Sequence, residues 1–209
     1  MNITSYFTTD PSTSPTAQAI NAAFGLGSHS THKFLLCENL NVTLRPKTIL
    51  FITGQSGSGK SCLLRILKRH HTPNIDLNKV KMNPKLILPD HFRLPLREAL
   101  YYLSLAGLAD AHIFLRTPHE LSDGQLFRFK LALTLSKKPK YIIADQFLDS
   151  LDRLTAKILA ATIRKFADKF STTFILASPN NDFLDQLKPD IYIEKLFSQS
   201  PLIKEMKND

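Results

Sequence analysis

One short stretch constrains the fold of this chain more than any other feature. Residues 54–61 read Gly-Gln-Ser-Gly-Ser-Gly-Lys-Ser and match the phosphate-binding pattern G-x-x-x-x-G-K-S/T in full. An apolar, β-branched segment precedes the loop at 48–53, and a helical pattern follows at 59–70. A loop in this strand–loop–helix context binds phosphate groups at the edge of a parallel sheet, which predicts an α/β fold.

The residue types in this loop suit a nucleoside triphosphate with its magnesium ion. Glycines let the backbone turn so that successive N–H groups face phosphate oxygens, and the following helix adds its positive end. Lys60 is expected to reach the β- and γ-phosphates, and the Ser61 hydroxyl is expected to bind Mg²⁺. The alternative is a flexible Gly/Ser-rich turn. The residues predicted to contact ATP or GTP are Gly54, Gln55, Ser56, Gly57, Ser58, Gly59, Lys60, Ser61 and Cys62.

A second segment supports a magnesium-assisted phosphate site. Residues 141–145 read Tyr-Ile-Ile-Ala-Asp, which predicts a buried strand that ends in a carboxylate. In a parallel sheet this position lies at the edge where ligands bind, and Asp145 would hold Mg²⁺ through water. An aspartate at a strand end is also a common helix cap. Its combination with the phosphate loop favours the metal role.

Three ordered motifs indicate a family. Residues 121–125 read Leu-Ser-Asp-Gly-Gln and lie between the phosphate loop and Asp145. The chain resembles the ABC-type ATPases over about residues 20–195, because their signature reads Leu-Ser-Gly-Gly-Gln in this place. The resemblance implies that two subunits, identical or related, sandwich two ATPs and that each signature caps the γ-phosphate bound by the partner. The signature residues expected to contact ATP are Ser122, Gly124 and Gln125.

The residue after Asp145 departs from the family pattern and bears on hydrolysis. Gln146 stands where ABC-type ATPases keep a catalytic glutamate, and an amide can orient water but cannot accept its proton. Loss of a general base costs on the order of 10²- to 10⁴-fold in rate. The expected catalytic set of Lys60, Asp145 and Gln146 therefore implies slow turnover. Asp149 could serve as a substitute base, although capping the next helix is its simpler role.

Three further family positions are altered. Asp123 occupies a glycine position of the signature, where a carboxylate would repel a γ-phosphate. The family histidine after the next strand is absent from residues 177–180, which read Ala-Ser-Pro-Asn. The glutamine expected after 86–88 is also absent, and Asp90 is the nearest polar residue there. These changes add to the expectation of slow hydrolysis.

An aromatic residue upstream of the loop stacks on adenine in this family. Phe24 is the candidate by position, and Phe34 is the second choice. A phenylalanine of the hydrophobic core is the alternative interpretation of either residue.

The pattern along the chain predicts one α/β domain of ABC type with short tails. The expected parts are a disordered Ser/Thr/Pro-rich tail (1–18), the ATPase domain (19–197) with a helical subdomain at about 90–137, and a C-terminal tail (198–209). A mostly parallel sheet with flanking helices, a small antiparallel N-terminal part and a shortened helical subdomain is predicted. Strands are expected at 34–37, 42–44, 48–53, 86–88, 140–145, 173–177 and 191–193, and helices at 59–70, 95–106, 122–136 and 152–170.

Composition limits the partners and the compartment. The net charge is +9, and basic residues gather at 60–71 and 128–140, which favours a polyanion such as nucleic acid. A solvated basic surface is the plainer interpretation. The longest apolar runs are too short to span a bilayer, and no secretory signal is visible. With Cys37 and Cys62 in no metal-binding spacing, a cytoplasmic protein with free thiols is expected.

Three functions agree with these features. The first is a soluble ATPase that dimerises on ATP and acts on nucleic acid or a nucleic-acid-bound partner, as the charge and the short helical region suggest. The second is a non-hydrolytic module that dimerises on nucleotide, as Gln146 suggests. The third is the ATP-binding subunit of a transporter, with a membrane permease as partner.

Overall fold

Strands and helices alternate through most of the chain. The computed structural model describes residues 2–9, 14–25, 32–197 and 199–206. The strands in these ranges are β1 Asn2–Thr9, β2 His32–Asn41, β3 Ile49–Thr53, β4 Asn74–Asp76, β5 Tyr141–Ala144, β6 Thr173–Ala177, β7 Ile191–Glu194 and β8 Leu202–Glu205. The helices are α1 Pro15–Ala23, α2 Lys60–His70, α3 Leu96–Leu105, α4 Ala111–Phe114, α5 Asp123–Leu135, α6 Arg153–Phe170 and α7 Leu184–Leu187.

The main sheet confirms the predicted α/β class. Within the described ranges its strand order is β4-β5-β6-β3-β7-β8, and β1 pairs with β2 in a separate antiparallel sheet. All neighbouring pairs from β4 to β7 are parallel, whereas β8 runs antiparallel to β7. The carboxyl ends of β3, β5, β6 and β7 therefore meet at one edge, where ligands bind in open α/β sheets.

The central strand β3 separates two hydrophobic layers. Successive side chains of a strand point to opposite faces of its sheet. Ile49 and Phe51 pack with residues of α3, α5 and α6 on one face, and Leu50 and Ile52 pack with those of α2 and β2 on the other. These four side chains are completely buried. This two-sided burial explains why residues 48–53 are almost uniformly apolar.

Capping side chains start the two helices next to the site. The Ser122 hydroxyl accepts from Gln125 N (3.3 Å) at the start of α5, the helix predicted at 122–136. Asp152 caps α6 by accepting from Thr155 N at 2.9 Å. The prediction that Asp149 caps this helix is therefore wrong. Each helix of the described ranges is too short or too polar to cross a membrane.

Regular structure is present in both segments that were predicted as tails, of which only 1–18 was expected to be disordered. Residues 2–9 form β1, because threonine and aromatic residues favour an extended strand. Residues 15–23 form α1, whose cap is Ser14 and whose first residue is a proline, a combination that starts helices well. At the other end β8 pairs with β7 through the register Ile193↔Ile203. This pairing uses backbone groups that an edge strand leaves open.

Two of the predicted strands are absent. Residues 42–44 have no regular structure, since Pro46 follows shortly and cannot donate to a sheet. Residues 86–88 precede and enter a 3-10 helix at Leu88–His91, in which Pro89 suits the first turn. The strand beside β5 is instead β4, at 74–76, which the sequence pattern did not indicate.

Candidate nucleotide-binding site

The phosphate loop joins β3 to α2 in a conformation that requires glycine. Gly54 has φ +141°, and a Cβ atom there would lie 2.1 Å from Lys195 O. Gly59, the N-cap of α2, has φ +99°, and a Cβ atom there would lie 2.9 Å from Leu36 Cδ2. Any other residue would be strained or displaced at both positions. The loop is thus held tightly against the domain at both ends.

Lys60 lies against this loop. Its ammonium donates to Gly54 O and Gln55 O, both at 2.7 Å. Burial lowers the pKa of Lys60, and the negative charges of Asp149 and Asp145 oppose this change. The predicted phosphate lysine and the predicted metal carboxylate therefore interact electrostatically, as they would in a common site.

A cleft of about 320 Å³ brings the predicted residues together. Parts of the phosphate loop form one wall, and the chain segments after β5 and β6 form another. Residues of both walls were predicted from the sequence, but their proximity is a property of the tertiary structure. The lining residues are Ser56, Gly57, Gly59, Lys60, Ser61, Cys62, Asp145, Gln146, Asp149, Ala177 and Pro179.

The loop has the features of a site for a phosphate and its metal ion. The Ser58 hydroxyl is buried without a hydrogen-bond partner among the described residues, so the loop holds a polar group that these residues leave unsatisfied. No atom lies within 4 Å of a Cβ atom built at Gly57, so a ligand can approach the backbone there. Ser61 and Asp145 supply the oxygen ligands that Mg²⁺ prefers. The residues present therefore fit a magnesium-bound polyphosphate, and the assignment of these two to Mg²⁺ stays a prediction.

Asn78 holds the backbone of Asp145 from a distant part of the chain. The Asn78 side chain donates to Asp145 O and accepts from Asp145 N, both at 3.0 Å. The Asp145 carboxylate in turn accepts from Gln146 N at 3.0 Å, and Gln146 adopts a left-handed conformation with φ +51°. The sequence analysis missed Asn78, since no local pattern relates two residues 67 positions apart.

Asp149 also lines the cleft. Its carboxylate accepts a hydrogen bond from the Ser178 hydroxyl. Burial raises the pKa of Asp149, while the Ser178 bond and the positive charge of Lys60 lower it. The carboxyl group of Asp149 is therefore placed where it could act on a ligand bound at the phosphate loop.

The signature residues lie at the N-terminus of α5, outside this cleft. Ser122 N donates to Gln125 Oε1 at 3.1 Å, which completes a reciprocal capping box. A Cβ atom at Gly124 would lie 3.1 Å from Thr155 Cγ2, so α5 and α6 approach closely there. Asp123 lines a second pocket of about 160 Å³ together with Gln146. Contact of these residues with ATP in a partner stays a prediction.

The two residues predicted to stack on adenine, Phe24 and Phe34, are not among the described residues that line the cleft. Phe24 follows α1 and is 75% exposed, which excludes the core interpretation of this residue. It is not among the residues that line the cleft, so its role in adenine stacking stays a prediction. The side chain of Phe34 is outside the described part of the structure.

Comparisons with known proteins identify the family of this chain. Residues 37–94 match the ABC transporter family. The chain is 30% identical to the tungstate uptake system ATP-binding protein TupC of Campylobacter jejuni, over 80% of this chain and 58% of that protein. It is 27% identical to the glutamine transport ATP-binding protein GlnQ of Geobacillus stearothermophilus, over 68% of this chain and 74% of that protein. This chain is an ABC-type ATP-binding cassette.

Solved structures show the same fold for the cassette. A dimeric ATP-binding cassette in a post-hydrolysis state with ADP and Pi superposes with a TM-score of 0.67 at 17% identity, covering 100% of this chain and 98% of the other. A dimeric bacterial ABC transporter cassette superposes with a TM-score of 0.64 at 18% identity, over 85% of this chain and 94% of the other. The cassette spans only 58% of the length of the tungstate protein, which therefore has additional residues outside the matched region.

Proposed function

We propose that this cassette is the ATP-binding subunit of a membrane transporter, which binds Mg-ATP and closes as a dimer with itself or a related subunit. The observation that carries the proposal is the cleft in which Lys60 and Ser61 lie with Asp145 and Gln146. The named relatives support transport, since they are ATP-binding proteins of tungstate uptake and glutamine transport. The nucleic-acid alternative rested on the positive charge and the short helical region, whereas both relatives are named for uptake or transport.

The helical region offers a surface for a membrane partner. Leu96 and Tyr101 on α3 and Leu115 after α4 are 64%, 49% and 68% exposed. A contiguous exposed apolar patch often marks a protein interface, whereas single exposed apolar side chains are common. The region is shorter than the family resemblance implies, but it still presents apolar surface. These three residues are our proposed permease contact.

Turnover in this cassette is expected to be slow. Gln146 lies in the cleft and can hold a water molecule, but its amide cannot take the proton of that water. Asp145 and Lys60 would bind the metal and the phosphates without supplying a base. The same residue favours a second function, a module that dimerises on ATP with negligible hydrolysis. Both functions place the protein in the cytoplasm, on the side of the membrane where ATP is present.

Two measurements test the nucleotide binding and dimerisation on which both functions depend. Calorimetry should show Mg-ATP binding that weakens about thirtyfold in Lys60→Ala, which loses charged hydrogen bonds worth about 2 kcal/mol. The exposed Lys204→Ala is the matched control. Light scattering should show dimers with ATP only. An absence of binding by the wild type would overturn the assignment.

Membrane association separates the transporter from the soluble module. The wild-type protein should co-sediment with membranes of the cell that produces it, and Leu115→Asp should remain in the supernatant. Leu154→Asp is the matched control, because Leu154 is 70% exposed and belongs to α6 rather than to the helical region that contains Leu115. Equal sedimentation of all three proteins would remove the helical region as the contact.

A further inference from the structure

A lysine that carries no sequence motif is buried beneath the phosphate loop. Lys195 follows β7 directly, and its side chain has no exposed surface. Its backbone N–H donates to Thr53 O at 2.8 Å, beside the start of the loop. Its carbonyl oxygen lies against Gly54, where it excludes any Cβ atom. The backbone of Lys195 is therefore in direct contact with the loop.

The side chain of Lys195 reaches the other end of the loop. Its Cε lies 3.7 Å from the position of a Cβ atom at Gly59. A C–N single bond adds about 1.45 Å, so the ammonium lies within roughly 5 Å of that position. Gly59 begins α2, whose unpaired N–H groups face a bound phosphate in loops of this kind. Gly59 lines the nucleotide cleft and Lys195 does not, so the loop backbone at Gly59 lies between the ammonium and the cleft.

The ammonium has no counter-charge. It donates to Leu196 O at 2.6 Å and Gln199 O at 2.7 Å. No salt bridge in the described part of the chain includes it. The Cys37 thiol, which interacts with it electrostatically, stays neutral because burial raises the thiol pKa. Burial lowers the pKa of Lys195, as expected for a cation without an anion beside it.

We propose that Lys195 is a second cation of the phosphate-binding site, which attracts the polyphosphate through the loop backbone while Lys60 binds it directly. This inference rests on the proposed ATP binding. A buried charge next to the positive end of α2 is unfavourable alone, and an anion on the other side of the loop offsets that effect. Protein rather than water lies between the two charges, so salt screens them little. The contribution should increase with the charge of the ligand, from AMP to ADP to ATP.

The competing role of Lys195 is structural. Its two hydrogen bonds join the ammonium to the carbonyl groups of Leu196 and Gln199, and these bonds alone could hold these two residues beside the loop. Lys195→Gln separates the two roles, because its amide can still donate to carbonyls but carries no charge. Lys195→Met removes both the charge and the donors. Lys204→Met, at an exposed lysine of β8, is the matched control.

Calorimetry with Mg-ATP, Mg-ADP and AMP tests the proposal. Both Lys195 variants should bind Mg-ATP about tenfold or more weakly, with a smaller loss for Mg-ADP and the smallest for AMP, whereas the control binds as the wild type. Wild-type binding by Lys195→Gln with weak binding by Lys195→Met would assign a structural role and overturn the proposal. Wild-type binding by both variants would overturn it too. Failure of the wild type to bind ATP would instead refute the proposed function.

If the Lys195 variants do not fold, a measurement on the wild-type protein can still test the proposal. Side-chain NMR can follow the one buried lysine ammonium of the described residues, which the slow exchange of its hydrogens identifies. Saturating Mg-ATP should raise the pH at which this ammonium loses its proton, because the polyphosphate stabilises the charged form. An unchanged titration overturns the proposal.

Discussion

The Ser178 hydroxyl donates a hydrogen bond to the Asp149 carboxylate and joins the ends of two neighbouring strands at the nucleotide cleft. Ser178 follows β6, and Asp149 lies in the loop after β5. Phe147 N donates to Ala177 O at 2.8 Å and connects the same two segments. The loop after β5 is therefore held against β6, and changes on one side will affect the other.

Replacement of Asp149 by asparagine should stabilise the protein at neutral pH. Burial raises the pKa of Asp149 in the folded state above its unfolded value, so folding favours the protonated carboxyl. This contribution is present below the unfolded pKa and is lost as the pH rises through the folded pKa. Urea unfolding of Asp149→Asn should therefore show a gain over the wild type that grows from acidic to neutral pH. Asp185→Asn is an exposed control, and a gain that does not vary with pH would contradict the electrostatic cause.

Introduction of a carboxylate at position 146 should accelerate hydrolysis. Gln146→Glu supplies a proton acceptor in the cleft, so single-turnover ATP hydrolysis should increase by about 10²- to 10⁴-fold. Gln146→Ala should remain as slow as the wild type. Calorimetry measures the nucleotide affinity of both variants, so that an effect on the rate is separated from an effect on binding. If Gln146→Glu and the wild type turn over equally, the amide does not limit the rate.

The Ser122 hydroxyl should have separate roles in stability and in dimerisation. Ser122→Ala removes the cap of α5 and should lower the free energy of unfolding by about 1 kcal/mol. It should also abolish ATP-dependent dimers in light scattering. Ser122→Asp keeps a capping oxygen and should restore stability, but its charge would repel a phosphate and leave the protein monomeric. Dimers of Ser122→Asp with ATP would exclude contact of this residue with the γ-phosphate.

Arg164 should be important for stability. Its side chain is 16% exposed and donates to Asp190 Oδ2 (2.8 Å), Asp168 Oδ1 (2.8 Å) and Lys47 O (2.6 Å). Arg164→Ala should cost about 2 kcal/mol, since it leaves several polar groups without this donor. Arg153→Ala is the control, because the Arg153 side chain is 89% exposed at its ion pair and should change stability little. Chemical denaturation of both variants compares the effects.

Much of the nucleotide site was predictable because its parts are local in sequence. The loop at 54–61 and the start of α2 follow from consecutive residues, and so does the cap at Ser122. Glycine conformations, helix ends and capping boxes depend on neighbours a few positions away. The two-sided burial of β3 likewise follows from its uninterrupted apolar run.

The segments whose secondary structure was not predicted from the sequence are those that depend on contacts with distant parts of the chain. Residues 2–9 form a strand because β2 pairs with them, and 202–205 do so because β7 offers an open edge. Residues 86–88 lose strand structure because β4, at 74–76, takes the place beside β5. Strand pairing depends on which sheet edge is available, and the sequence of a short segment does not contain that information.

The sequence by itself determined the nucleotide-binding loop, the carboxylate of Asp145 and the signature, because each is encoded by adjacent residues whose local geometry follows directly. Only the tertiary structure decided that Asn78 holds Asp145, that Asp149 faces the cleft and that Lys195 lies beneath the loop. These relationships arise from chain crossings and from burial, which change the electrostatic environment of a side chain without changing its neighbours in sequence.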